Sequence, residues 1–230
     1  MSINFNDRKK WFENLKKVIR LIIKKPSYIY LGEKVDKSSI ILCNHEGMFS
    51  PVKTELYRDF PVRIWGTYEM NSGLKSVYKY LSEVFYHQKK KWNIHLARLF
   101  CLIAAPVVNV FYKGLRLIPT YRDIRFKNTL STSIKVLQDE GNLMIFPEDS
   151  DDGYFEVLTK FNDGCILFFE QCQKHNINAK VFVSYYKRKE DKFIVDKPVT
   201  INELLSLNLS RMELAKKLCD RCNELRNIEI

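Results

Sequence analysis

The sequence predicts an α/β fold, a sheet with flanking helices preceded by an N-terminal amphipathic helix. Three observations carry that expectation. From Leu115 to about Tyr186, apolar runs of strand length alternate with segments of three-to-four periodicity, the pattern of a parallel sheet whose strands are joined through helices. Residues 7–25 combine an apolar stripe with a dense basic face. The chain has 230 residues and is 46% hydrophobic, enough for one sizeable core and short for two comparable domains. We therefore expect an interfacial helix over 1–26 and a single α/β domain over 27–230.

The elements follow in order. "DRKKWFENLKKVIRLIIKK" sets Trp11, Leu15, Val18 or Ile19, and Ile22 at helical spacing, among Arg8, Lys9, Lys10, Lys16, Lys17, Arg20, Lys24 and Lys25. Such a helix either lies in a membrane interface or packs on its own domain with a solvated basic face. Pro26 stops it. "SYIYLG", "SSIILC" and "VRIWGT" read as short strands, and residues 73–98, mixing basic and aromatic side chains, read as helical. The apolar run "LFCLIAAPVVNVFY", 99–112, contains Pro106 and Asn109 and falls short of the roughly 20 residues needed to cross a bilayer. It reads as a buried helix or as an apolar surface facing lipid or an acyl chain.

"LRLIPT" is a further strand, with Asp123 placed to cap a helix carrying Phe126, Leu130, Ile134 and Leu137 until Gly141. "NLMIFPE", the helix "GCILFFEQCQKH" and the strand "AKVFVSYY" follow. "KFIVDKPVTI" adds an edge strand or hairpin, and Ser210 with Glu213 forms a capping box for a helix over 211–226. Cys219 and Cys222 fall on the apolar face of that helix. A lone C-x-x-C without a second pair reads there as packing and not as zinc ligation.

Lysine and arginine total 38 against 27 acidic residues, a formal charge of +11. That favours an anionic partner: lipid headgroups, nucleic acid or an anionic cofactor. No zinc-finger or RNP pattern occurs, and the aromatics form no obvious stacking platform, so nucleic acid is not expected. The six cysteines are scattered and no signal-peptide pattern opens the chain, from which reduced thiols in a cytosolic compartment are expected.

Three strand-end segments carry candidate chemistry: "CNHEGMFSP" from 43, "LIPTYRD" from 117 and "MIFPEDSDDG" from 144. Loops at the carboxyl ends of parallel strands converge, which would gather His45, Arg122 and Glu148. The remaining histidines, His87, His95 and His175, lack such a setting and are expected at the surface or in packing.

The order and spacing of these segments resemble the glycerolipid and lysophospholipid acyltransferase family, of the 1-acylglycerol-3-phosphate acyltransferase type. The resemblance rests on Asn44 and His45 for its N-H-x4-D motif, on Ile118, Pro119 and Arg122 for I-P-x-x-R, and on Phe146, Pro147 and Glu148 for F-P-E-G-T-R. Phe161 and Gly164 in "KFNDGC" resemble its F-K-x-G-A segment, and "VFVSYY" its apolar fourth motif. It covers roughly residues 38–186 and implies a glycerolipid acyltransferase-like sheet. The implied reaction moves a fatty acyl group from a thioester, acyl-CoA or acyl carrier protein, to a lysophospholipid or glycerol-derived hydroxyl. The implied place is the cytoplasmic face of a membrane, peripheral or monotopic, on anionic lipids. His45 would be the general base, with Asn44 and Ser50 beside it; Arg122, Glu148, Pro147 and Gly164 would bind substrate, and no cofactor or metal is implied.

Two departures bear on that reading. The motif's aspartate is replaced by Ser50, whose hydroxyl can orient an imidazole but cannot supply a negative charge beside the imidazolium. Glu148 or Asp59 would have to substitute. After Glu148 the motif's Gly-Thr-Arg gives way to Asp149, Ser150, Asp151 and Asp152, an acidic loop that disfavours a phosphate-bearing acceptor and favours a neutral, zwitterionic or amine-bearing one. Read as a calcium loop it fails where a bidentate glutamate is needed, at Thr159. The alternative function is a catalytically inactive protein of the same fold that binds lipid or acyl chains.

Overall fold

The computed structural model describes residues 9–58, 60–151 and 153–229. It is an α/β fold with an eight-stranded, mostly parallel sheet and flanking helices. The strands are β1 (Ser27–Tyr30), β2 (Ser39–Cys43), β3 (Val62–Thr67), β4 (Ile118–Thr120), β5 (Asn142–Ile145), β6 (Lys180–Lys187), β7 (Lys192–Val195) and β8 (Val199–Thr200). They lie in the order β1-β7-β6-β2-β5-β3-β4, with β8 on β6. β6, β2, β5, β3 and β4 are mutually parallel, so their carboxyl ends share one edge, while β7 runs antiparallel to β6 and parallel to β1. "KFIVDKPVTI" was expected at the edge or in a hairpin. It forms the hairpin with β6, but β7 is interior because β1 pairs along its free side.

The helices are α1 (Lys10–Ile19), α2 (Phe49–Tyr57), α3 (Leu74–Lys79), α4 (Ile94–Leu115), α5 (Phe126–Gln138), α6 (Gly164–Lys174), α7 (Ile201–Leu205) and α8 (Arg211–Arg226). α3 continues directly into a π-helical segment, Tyr80–Lys89. β2 is buried along its whole length, which is why it reads as an unbroken apolar run instead of alternating. Its side chains divide by parity: Ile40 and Leu42 join a core with α5, α6, α7 and α8, while Ile41 and Cys43 join a second core with α1, α3 and α4. The capping box at Ser210 and Glu213 starts α8, and a second one, Thr200 with Glu203, starts α7. All six cysteines are buried thiols, and Cys219 and Cys222 lie on the inner face of α8.

α1 is shorter than the 7–25 expected; residues 7 and 8, including Arg8, lie outside the described residues. It is docked on the α/β domain by a side chain off the stripe singled out above. The Phe12 ring lies where a side chain on Gly114 would project, only 2.0 Å from an ideal Cβ there, and meets Phe111 edge-on at 5.4 Å. Only glycine allows that approach. Lys16 Nζ reaches Glu55 Oε1 at 3.2 Å, Arg58 pairs with the same carboxylate at 2.7 Å, and the Arg20 guanidinium donates to the Leu56 carbonyl. Leu15 and Ile19 pack inward as well, leaving Trp11, Val18, Leu21 and Ile22 exposed.

The apolar segment over 99–112, expected to be too short to cross a bilayer, belongs to a 22-residue helix that is long and apolar enough to do so by length and composition alone. Asn93 caps α4 by accepting from the His95 and Leu96 amides, the helix passes through Pro106, and Arg116 in the left-handed region ends it. Its first turns fell within the segment 73–98 expected to be helical, and were separated from the apolar run because His95 and Arg98 interrupt that run without interrupting helical periodicity.

Candidate functional site

β2 delivers Cys43 to the carboxyl edge of the sheet, and Asn44 extends its pairing by one side chain. The Asn44 Oδ1 accepts from the Tyr186 amide at 2.6 Å and its Nδ2 donates to the Tyr186 carbonyl at 3.2 Å. The side-chain amide thus imitates the next peptide of the ladder beyond the Cys43–Ser184 pair. Its role is to hold the end of β2 on β6. The chain then turns sharply, with Glu46 and Gly47 both at positive φ, and enters α2. This helix occupies what the sequence left as a loop.

His45 is held at that turn. Its backbone amide donates to Glu148 Oε2 at 2.8 Å, so two of the expected segments do meet, through the main chain of one and the carboxylate of the other. The imidazole stacks on Tyr154 at 5.1 Å and meets Phe146 edge-on at 5.0 Å. Its Nδ1 is shut off from solvent and has no hydrogen-bond partner among the described residues. Burial, with Lys89 and Lys90 nearby, lowers the pKa of His45 to about 3, against a smaller opposing effect of the Gly47 backbone. The ring is therefore neutral at physiological pH. It is free to accept a proton but poorly able to keep it.

The expected partners of the ring are otherwise engaged. Ser50 is fully buried in the first turn of α2, and its Oγ lies 3.5 Å from the Cys43 Sγ. Glu148 is buried and oriented toward the loop backbone, and burial raises its pKa to about 7, opposed first by the His45 amide. Glu46 faces Arg188 at 3.5 Å. Asp59 lies outside the described residues. Among the described residues, then, no carboxylate contacts the His45 ring, and the charged dyad expected from H-x4-D is not formed.

Arg122 is brought to the same edge but not onto His45. Its guanidinium holds Asp151 in a bidentate pair at 2.9 and 2.6 Å, with the side chain 82% exposed. The acidic loop after Glu148 thus already answers the charge of Arg122, and Asp151 holds the arginine pKa up while its own is held down. Asp152 lies outside the described residues. Pro147 shapes the loop by accepting from the Asn162 amide at 2.7 Å. Gly164 opens α6, where an added Cβ would come within 3.3 Å of Phe126, which makes it a packing position between α5 and α6.

Several residues of the site escaped the sequence reading: Tyr154 on the His45 ring, the cavity walls Ile64, Phe85, Tyr80 and Tyr112, and Lys89 and Lys90 at the end of the π-helical segment. Lys89 donates to Ser150 Oγ at 2.6 Å and lies 5.3 Å from the Tyr154 ring centre; Lys90 lies 5.5 Å from the same ring. Together they cover the acidic loop and charge the surroundings of His45. Their only sequence signal was the run of three lysines before Trp92. His87, His95 and His175 are exposed, as expected.

Below His45 lies an apolar cavity of about 70 Å³, walled by Ile64 and Gly66 of β3, Phe85 and Tyr80 of the π-helical segment, Tyr112 of α4, and Tyr154. Its walls are mainly apolar with one neutral base at the rim, and its volume is well below the ~300–1,000 Å³ of a pocket that encloses a whole ligand. No protein-family model matches the chain, and no curated protein matches it.

Proposed function

We propose that the protein is an acyltransferase of the glycerolipid and lysophospholipid type, moving a fatty acyl group from an acyl thioester to a lipid or glycerol-derived hydroxyl at a membrane surface. The observation that carries the reading is the neutral His45 imidazole at the rim of an apolar cavity, on a loop fixed by Glu148. A hydroxyl is a weak nucleophile until a base takes its proton as it attacks. His45 accepts that proton while the oxygen adds to the thioester carbonyl. The tetrahedral oxyanion then collapses, the carbon–sulfur bond breaks, and the imidazolium returns the proton to the departing thiolate. Lys89 and Lys90 favour the oxyanion electrostatically, and the same charges disfavour the imidazolium. With no acid on the ring among the described residues, the reaction is expected to be slower than one driven by a charged dyad.

The Arg122–Asp151 pair supports a neutral, zwitterionic or amine-bearing acceptor over one presenting a bare phosphate, because the guanidinium is already paired. The Nδ1 without a partner among the described residues and the engagement of Ser50 with Cys43 favour a second reading, a catalytically inactive protein that binds lipid or acyl chains. Release of free thiol from acyl-CoA separates the two, assayed with glycerophosphate, lysophospholipid and amino-alcohol acceptors. Acceptor-dependent release lost in His45→Ala supports transfer. Equal background from both proteins, together with retention of acyl-CoA or lipid on the wild type, supports the binding protein.

A further inference from the structure

α4 is built inside out. Against the domain its first half turns small side chains, Ala97, Cys101 and Ala105, which let it approach closely, and its second half buries Asn109, Phe111, Gly114 and Leu115. Toward the outside it turns large apolar ones: Leu96, Leu99, Leu102, Ile103 and Val107 are each more than 60% exposed. Only 28% of its apolar stretch is buried. A helix facing water distributes these residues the other way; small inside and large apolar outside is the arrangement of a helix whose outer neighbour is hydrocarbon.

The borders of this face point to the same neighbour. Trp92 stands half-exposed just before α4 begins, and Trp11 half-exposed beside Phe12 where α1 crosses the end of α4. Tryptophans at the margins of an apolar band are the mark of a headgroup boundary. No aspartate or glutamate occurs between Glu83 and Asp123, whereas Lys89, Lys90, Lys91, Arg98, Lys113 and Arg116 fall within that stretch. α1 adds Lys9, Lys10 and Lys17 next to it. Glu83, which pairs with Arg98, and Glu13, which pairs with Lys16, are the acidic residues at this margin among the described residues; an apolar face with a predominantly basic margin matches a leaflet carrying anionic headgroups. The inner side of the same helix contributes Val108, Tyr112 and Leu115 to the wall of the His45 cavity.

We propose that the outer face of α4 is the bilayer-docking surface of this protein, lying in the plane of an anionic leaflet, with α1 as its basic margin. This rests on the membrane setting of the function proposed above and not on its chemistry. The occupant is lipid and not a second copy, since two such faces would bring like-charged margins together.

The full chain is sedimented with phosphatidylcholine vesicles containing or lacking phosphatidylglycerol, and compared with Leu99→Asp/Ile103→Asp and with Met212→Asp, a control at an exposed apolar residue of α8. We expect the wild type and the control to bind the anionic vesicles, more weakly at high salt, with a blue shift of tryptophan emission. The double variant should lose at least tenfold in partitioning while keeping the wild-type circular dichroism spectrum. Unchanged partitioning of the double variant would overturn the proposal. So would absence of wild-type binding, or a wild-type dimer in vesicle-free buffer that the double variant converts to monomer. Thiol release from a water-soluble short-chain acyl-CoA needs no vesicle and reads the chemistry alone. Vesicle binding without thiol release overturns the acyltransferase reading only, and thiol release without vesicle binding overturns the docking proposal only.

Discussion

α8 and α4 cover opposite faces of one sheet and treat apolar side chains in opposite ways. α8 buries Leu214, Leu218, Cys219, Cys222 and Leu225, and covers its outer surface with Lys216–Asp220 and Arg221–Glu224 pairs. Through its first half α4 buries alanine and cysteine and leaves leucine and isoleucine outside, while Phe111 and Leu115 are buried nearer its end. The same hydrophobic effect cannot account for both if both face water. On the docking proposal the difference reflects different surroundings for the two faces, and the candidate site opens on the side of α4.

The sharpest way to break this comparison is to make one substitution on each helix. Leu225 is fully buried, so Leu225→Ala is expected to cost about 2–5 kcal/mol in urea unfolding. Leu99→Ala, at an exposed position, should stay within about 0.5 kcal/mol. A comparable loss at both would mean that the outer face of α4 is buried in solution. Next in size is Gly114→Ala. The new methyl group collides with Phe12, which should cost about 1–3 kcal/mol and, more tellingly, expose residues 10–25 to limited proteolysis. Resistance equal to wild type would mean that α1 is not held by that contact.

The strand-end site permits a test through pH. His45 has its pKa lowered from 6.5 to about 3, so the unfolded chain binds that proton first, and its contribution to stability rises as pH increases from about 3 to 6.5. Glu148 has its pKa raised from 4.5 to about 7, so the folded chain holds that proton longer, and its contribution falls as pH increases from about 4.5 to 7. Between 4.5 and 6.5 the two oppose. Relative to wild type, Glu148→Gln should give a denaturation midpoint that climbs more steeply with pH across that window, and His45→Gln one that climbs less or falls. Parallel profiles would show that neither group is buried as described. The smallest effect is expected at the exposed Arg122–Asp151 pair. Asp151→Asn should change stability by less than about 1 kcal/mol while shifting any acceptor preference toward phosphate-bearing compounds, because it frees the guanidinium.

Local pattern was enough for most elements. The continuous run of β2, the periodicity of α5 and the Ser210 capping box of α8 are written in neighbouring residues, and each emerged close to its expected bounds. α2 was missed because its apolar positions are few and Pro51 lies inside it. The interior place of β7 was hidden because it depends on β1, more than 160 residues earlier in the chain. The site divides along the same line. That His45 and Glu148 would meet at one sheet edge followed from two strand-end segments in a parallel fold.

By itself, then, the sequence determined the alternation of strands and helices, the basic charge, and the segments that end at the carboxyl edge. These depend on spacing along the chain, which short-range sterics and burial translate directly into structure. Tertiary structure decided what each polar group at that edge holds: Asn44 the β6 backbone, Ser50 the Cys43 thiol, Glu148 the His45 amide, and Asp151 the Arg122 guanidinium. It also decided that α4 turns its large side chains outward. Hydrogen bonds act over about 3 Å and join residues far apart in this chain, Tyr186 and Asn44 at 142 positions among them. Which donor meets which acceptor is therefore set by the packing of whole elements, and spacing along the chain does not encode it.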